Sequence, residues 1–271
     1  MRACINEATT MTTDFETDMW AYSAAGFVAV ELWLDKVVNY VEKQGVDRAH
    51  RLLQKLRLEP ICACAQGGLM LAEGEDRVGV LAQFERRLAL CEALGVPKMV
   101  AFAGRTGRPT PALYERVVAN IREAADMAAG HGVTLALEFI KGHPVVGCMA
   151  TTTELVRQAG RPNVGVLFDF FHFMVGVSKM SDLDALSPEE LTFVHLNDAP
   201  ALPREMLTDA DRVWLGEGCF PIAAFRDHLM RLGYTDGVSL ELFDQDVWDT
   251  DPYDVAARAF KNASAFIDGR L

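Results

Sequence analysis

Short apolar runs alternate along the chain with longer stretches whose apolar residues recur at helical spacing. The first run, Arg2-Ala-Cys-Ile-Asn6, reads as a strand, and residues 14–25 as the helix after it. Phe27-Val-Ala-Val-Glu-Leu-Trp33 predicts a second strand, followed by a helical region near residues 46–56. Pro60-Ile-Cys-Ala-Cys-Ala65 predicts a third, with a helix over residues 77–94 that stops at Gly95-Val-Pro before strand four, Lys98-Met-Val-Ala-Phe102. Thr110 supplies a cap and Pro111 a first-turn proline for a helix running to about Gly130. Strand five ends at Glu138, a helix covers residues 151–159, and strand six ends at Asp169. Ser187-Pro-Glu-Glu190 reads as a short helical turn before strand seven, which holds His195. Residues 197–218, with Pro200, Pro203, Gly216 and Gly218, form a long loop. A helix over 221–232, strand eight over 238–242 and a helix over 255–267 complete the chain.

Eight strand–helix units with short connections predict a (β/α)8 barrel forming one domain over residues 1–271. An open doubly wound sheet is the competitor, and it calls for a glycine-rich phosphate loop or another switch-point site. No G-x-G-x-x-G follows the first strand, and Gly104-Arg-Thr-Gly107 is too short and lacks the P-loop lysine pattern.

Four of the runs end alike. Val133-Thr-Leu-Ala-Leu-Glu138, Val164-Gly-Val-Leu-Phe-Asp169, Leu191-Thr-Phe-Val-His195 and Val238-Ser-Leu-Glu241 each carry a carboxylate or imidazole near a strand's C-terminal end. An ionised carboxylate after so apolar a run is costly unless paired or bound to a metal. The rival reading makes Asp169 a helix cap or the partner of an arginine. Recurrence at one end of four strands favours a shared divalent-metal site, because a barrel gathers those ends at one mouth. Oxygen and imidazole donors suit Mn²⁺, Co²⁺, Mg²⁺ or Zn²⁺, with no thiolate to select a softer ion. Such an ion polarises the carbonyl of a chelated hydroxyketone, and Glu138 or Glu241 removes the neighbouring proton to give an enediolate. Isomerisation, epimerisation and dehydration all remain open on these residues. His172, three residues beyond Asp169, is a candidate hydrogen-bond donor to a substrate oxygen. Asp198 can orient a ligand or cap a turn. Arg212 is a candidate for substrate contact or for an ion pair with Asp211, and Phe168 a candidate pocket wall, although core packing explains the phenylalanine cluster equally well.

The formal net charge of -12 argues against general nucleic-acid affinity. Six dispersed cysteines and no signal peptide predict buried, reduced thiols in a cytoplasmic protein. No apolar run approaches the length of a membrane span. A homo-oligomer is the anticipated assembly, though no sequence feature divides the apolar helices between core and interface.

Several stretches carry a resemblance. Cys4-Ile-Asn-Glu-Ala-Thr-Thr10, Leu137-Glu-Phe139, Asp169-Phe-Phe-His-Phe173, Val194-His-Leu-Asn-Asp198, Leu207-Thr-Asp-Ala-Asp-Arg-Val-Trp214, Gly216-Glu-Gly218 and Ser239-Leu-Glu-Leu-Phe243 span nearly the whole chain. Together they resemble the xylose-isomerase-like barrel superfamily, and within it the 2-keto-myo-inositol (inosose) isomerases. That resemblance implies one divalent ion (Mn²⁺, Zn²⁺ or Co²⁺) held by Glu138, Asp169, His195 and Glu241. It implies Glu138 and Glu241 flanking a keto-inositol or keto-sugar substrate, with His172 in contact with it. Arg212 on the long loop is then expected at the substrate hydroxyls, with Trp214 and Phe168 as apolar walls. Ketose 3-epimerases, other sugar isomerases or dehydratases and a non-enzymatic sugar-binding barrel are the alternatives. Leu215 departs from the pattern, standing where this loop type has proline. The endonuclease IV-like branch shares Glu138, Asp169, His172, His195 and Glu241. It has a metal-binding histidine where this chain has Val213, and histidines near strands two and three that Ala65-Gln-Gly-Gly68 and Phe102-Ala-Gly104 do not supply.

Overall fold

The computed structural model describes residues 1–104 and 108–271. Most of the Gly104–107 segment considered above lies outside the described residues. The strands are β1 (Arg2–Asn6), β2 (Ala29–Trp33), β3 (Glu59–Gln66), β4 (Lys98–Phe102), β5 (Thr134–Glu138), β6 (Val164–Asp169), β7 (Leu191–Leu196) and β8 (Gly237–Leu240). They form a closed barrel in sequence order, as the alternation of apolar runs predicts. The helices are α1 (Phe15–Ala25), α2 (Leu34–Gln44), α3 (Val46–Leu56), α4 (Gly74–Leu94), α5 (Pro111–Gly130), α6 (Met149–Ala159), α7 (Phe170–Val175), α8 (Met180–Asp184), α9 (Ile222–Arg231), α10 (Gln245–Trp248) and α11 (Pro252–Ile267). Among the described residues no helix is long and apolar enough to cross a membrane.

The chain packs as two compact portions, residues 1–62 with 194–271, and residues 63–193. In the first, β1 lies parallel to both β2 and β8, with Ile5 opposite Val30 and Leu240. β7 runs parallel to β8, and the Glu241 N–H reaches the Leu196 carbonyl at 3.0 Å. Glu241 is thus one residue past the end of its strand, where the sequence reading had the strand run to Leu242. In the second portion β4, β5 and β6 are parallel neighbours, with Phe102 opposite Glu138 and Glu138 opposite Leu167.

Local chemistry accounts for most boundaries. Thr110 Oγ1 accepts the Leu113 N–H at 3.2 Å, and Pro111 begins α5 where a missing N–H costs nothing. Gly95 ends α4 in the left-handed region, at φ 73°. Asp251 caps α11 through the Tyr253 N–H, so that helix starts at Pro252, ahead of the expected residue 255. Four elements escaped the sequence pattern: α2, α7, α8 and α10. α2 leaves Trp33 with no side-chain cap and follows β2 without a break, so it lacks a start signal, although Leu34, Val37, Val38 and Val41 recur at helical spacing. The other three are too short to show a period. The cysteines need one correction. Cys4, Cys62, Cys64 and Cys91 are free and buried as expected, but Cys148 is half-buried and Cys219 is exposed. Cys219 lies beyond the last turn of the long loop, where its backbone rather than its side chain is bonded inward.

Candidate metal centre

Glu138 ends β5 and Asp169 ends β6, both buried. The Asp169 side chain does two jobs at once. Its Oδ1 accepts the His172 N–H at 2.8 Å and so caps α7. The same carboxylate also belongs to a group that could hold a metal ion, so the cap reading and the metal reading of this residue are compatible. The cap places the His172 ring on the first turn of α7, with Nε2 4.0 Å from Glu138 Oε1. Phe168 is fully buried, its ring centroid 4.9 Å from that of Phe170 and 5.2 Å from that of Phe173.

His195, on β7, is fully buried and sits between two carboxylates. Its Nε2 lies 3.0 and 3.1 Å from the two oxygens of Glu31, which comes from β2 and is itself fully buried. A carboxylate can only accept, so Nε2 carries a proton, and Nδ1 is left as the nitrogen that would offer its lone pair to a metal. Nδ1 in turn lies 3.1 Å from Glu241 Oε2. A lone pair facing a carboxylate oxygen at this distance is repulsive by itself and becomes favourable when a cation is shared between them.

Glu241 is held on every side. Asn6 Nδ2 donates to its Oε1 at 2.9 Å, and Arg212 Nη1 donates to its Oε2 at 2.6 Å. Thr9 Oγ1 donates to the Leu240 carbonyl at 3.0 Å and accepts the Leu242 N–H at 3.2 Å, bracketing the Glu241 backbone. Asn6 and Thr9, within the block noticed in the sequence as a pattern, therefore serve to fix this carboxylate. Arg212 is 1% exposed. Its Nη2 donates to Asp209 at 2.8 Å, and its guanidinium lies 5.2 Å from the Phe243 ring centre. Asp211, the partner considered from sequence, accepts from the Thr208 N–H and hydroxyl. Trp214 is buried under the Arg258 guanidinium, 4.4 Å above its ring.

Leu215, the departure from the loop pattern, has a use for the proline's missing proton. Its N–H donates to Asn262 Oδ1 and its carbonyl accepts from Asn262 Nδ2, both at 3.0 Å. A proline could make only the second of these bonds.

Glu138, Asp169, His195 and Glu241 each offer one ligand atom, and these atoms lie within 4.8 Å of one another. All four residues are buried, and the donor set of three carboxylates and one imidazole fits a divalent ion such as Zn²⁺, Mn²⁺ or Co²⁺. Sequence reasoning missed Glu31 and Asn6. Glu31 lies inside Ala-Val-Glu-Leu-Trp, one residue type out of place in an otherwise apolar strand, and that was the available signal.

Residues 21–263 match the model of the xylose isomerase-like TIM barrel family. The chain belongs to that family. It is 30% identical over 254 residues to an inosose isomerase of Bacillus velezensis, covering 90% of this chain and 89% of that protein. It is likewise 30% identical over 252 residues to an inosose isomerase of Bacillus subtilis, with 90% and 89% covered. The crystal structure of IolI protein with a binding zinc atom superposes with a TM-score of 0.93 at 26% identity, covering 100% of this chain and 99% of that one. By these relationships the chain is an enzyme, an isomerase.

Proposed function

We propose that this isomerase is a divalent-metal-dependent inosose isomerase interconverting 2-keto-myo-inositol (scyllo-inosose) and 1-keto-D-chiro-inositol. The observation that carries the reading is the convergence of ligand atoms from Glu138, Asp169, His195 and Glu241 within 4.8 Å. Its substrate class is supported by the 30% identity to inosose isomerases over 90% of the chain. Bound Mn²⁺, Zn²⁺ or Co²⁺ would polarise the carbonyl of a chelated hydroxyketone and stabilise negative charge on its oxygens.

The remaining chemistry is a proton transfer between adjacent ring carbons. One glutamate of the pair Glu138 and Glu241 takes the proton from the hydroxyl-bearing carbon beside the carbonyl, leaving an enediolate. The other delivers a proton to the former carbonyl carbon, while the hydroxyl proton on the first carbon's oxygen passes to the former carbonyl oxygen, so that the first becomes the new carbonyl and the second a hydroxyl. No net oxidation occurs, so no nicotinamide is required. Glu241 enters this step with Oε1 and Oε2 already oriented by Asn6 and Arg212, which removes part of the entropic cost of alignment. His172, on the first turn of α7, hydrogen-bonds a substrate hydroxyl in this scheme. Arg212 acts at the substrate by way of Glu241, with apolar backing from Phe168 and Trp214.

Incubation of the metal-loaded protein with scyllo-inosose, followed by NMR, is expected to give 1-keto-D-chiro-inositol. D-fructose, D-tagatose and D-psicose should be turned over far more slowly. Turnover of the free ketohexoses alone would replace this reading with a ketose 3-epimerase, and release of water with a conjugated product would make it a dehydratase.

A further inference from the structure

The long loop after β7 is closed on a single carboxylate. Asp198 is 1% exposed and accepts four backbone N–H groups. Oδ1 takes those of Ala199 and Phe220, both at 2.9 Å, and Oδ2 takes those of Gly216 and Gly218, both at 3.1 Å. The backbone of the same residue pairs in both directions with Val213, at 3.0 and 2.9 Å, forming an isolated antiparallel bridge in the middle of the loop. Start, middle and end of the loop therefore meet at one residue, the ends at its side chain and the middle at its backbone.

The glycines follow from this arrangement. A Cβ on Gly218 would stand 2.2 Å from Asp198 Oδ1 and 2.3 Å from the Ala199 carbonyl oxygen, so the chain can wrap the carboxylate only if that position has no side chain. Gly216 meets it with φ at +84°, a conformation that glycine adopts freely. The Gly-Glu-Gly216–218 pattern is thus the imprint of the carboxylate it surrounds.

Arg212 immediately precedes the bridged Val213, and the bridge fixes where its side chain begins. From there Nη1 reaches Glu241 Oε2 at 2.6 Å, beside the His195 Nδ1 contact at 3.1 Å. We propose that Asp198 is a positioning residue for the metal centre: by closing the loop on its carboxylate it delivers Arg212 to Glu241 and so sets the orientation of that ligand. This rests on the metal reading of the site given above. The loop is then part of the centre's outer shell, and its conformation and the coordination of Glu241 change together. Outer-shell partners of metal ligands commonly alter affinity by about 10–100-fold.

The test is Co²⁺ binding and the visible absorption of the Co²⁺-loaded protein, for wild type, Asp198→Asn, Arg212→Ala and the double variant. Asp198→Asn preserves shape but turns an N–H group toward N–H donors. It is expected to weaken Co²⁺ binding roughly 10-fold and to shift the absorption bands. Because both substitutions act through one contact, the double variant should bind no more weakly than Arg212→Ala. An Asp198→Asn protein with lowered Tm but wild-type Co²⁺ affinity and spectrum would overturn the inference, as would losses that multiply in the double variant. Should Asp198→Asn fail to fold, Gly216→Ala loosens the same clamp by backbone strain, and a several-fold weaker affinity is expected; unchanged affinity overturns the proposal. Wild type that binds no Co²⁺ would remove the metal reading and this inference together. Bound Co²⁺ with no inosose turnover would remove only the substrate assignment.

Discussion

Both oxygens of Glu31 face one nitrogen, and that geometry makes the residue a lever on the metal centre. Its hydrogen bond to His195 Nε2 keeps the neutral ring in the tautomer whose Nδ1 can donate to a metal. Glu31→Gln keeps an acceptor of similar shape but removes the charge that favours Nε2 protonation, and its amide group can turn a donor toward the ring. Zn²⁺ affinity, measured by chelator competition, is expected to fall by about 10-fold or more with little change in Tm. An unchanged affinity would reduce Glu31 to a core hydrogen-bond partner. The four candidate ligands were legible from sequence because each lies at the end of an apolar run, which is a local signal. Glu31 and Asn6 were not, because their meaning lies in what they face: His195 is 164 residues from Glu31, and Glu241 is 235 residues from Asn6.

The single turn of 3₁₀ helix after β1, Glu7–Thr10, ties β1 to α1, β2 and α2 through buried charge. Glu7 Oε2 accepts the Trp33 N–H at 2.7 Å, and Lys36 Nζ donates to the Glu7 and Thr10 carbonyls and to Asp18 Oδ2 at 2.6 Å. Glu7 Oε1 and Asp18 Oδ1 are both buried and meet no N–H or hydroxyl donor, so the hydrogen bond between the two carboxyls needs a proton, and Tyr22 and Thr10 close the cluster through their hydroxyls. Burial raises both carboxyls above their ordinary range, with the Asp18 charge adding to the effect on Glu7 and Lys36 opposing it in each. Two carboxyls share one ammonium, so the folded pair holds a proton that the unfolded chain releases. Stability from this cluster is therefore full in acid, below the unfolded carboxyl range, and is lost as pH rises through the raised folded-state values. Glu7→Gln imitates the protonated carboxyl. In urea titrations it should be close to neutral near pH 5 and stabilising by about 1–3 kcal/mol near pH 8. Equal destabilisation at both values would mean that Glu7 is ionised when folded. At this scale the sequence was legible where a cap or a wide stripe marks an element, as at Thr110 and Pro111. It was opaque at α2, which starts directly from a strand with no cap to separate the two, even though Leu34, Val37, Val38 and Val41 keep helical spacing.

Across the molecule, the closed order of eight strands followed from the alternation of runs and helices, since each crossover must return to a parallel neighbour. The net charge of -12 is concentrated in part at the centre itself, where three carboxylates are gathered and Arg212 offsets one. A divalent ion relieves that repulsion in the folded state only, so binding is linked to global stability. At a free Zn²⁺ concentration about 100-fold above Kd, the linkage is worth about 2.7 kcal/mol. For a chain of this size that corresponds to a Tm about 5–10 °C higher than after chelation, measurable by calorimetry. Superimposable melting curves with and without Zn²⁺ would argue that the four side chains do not form a site.

Asp169 commits one oxygen to the first turn of α7 while its carboxylate also belongs to the proposed ligand set. Retuning this centre for another ion by exchanging that ligand is consequently a refolding problem as much as a coordination problem. A histidine at position 169 offers a softer donor but no carboxylate for the His172 N–H, and a glutamate moves both oxygens outward by one methylene. Any selection for new metal preference at this position should therefore recover second changes in the opening turn of α7, where the lost acceptor has to be replaced.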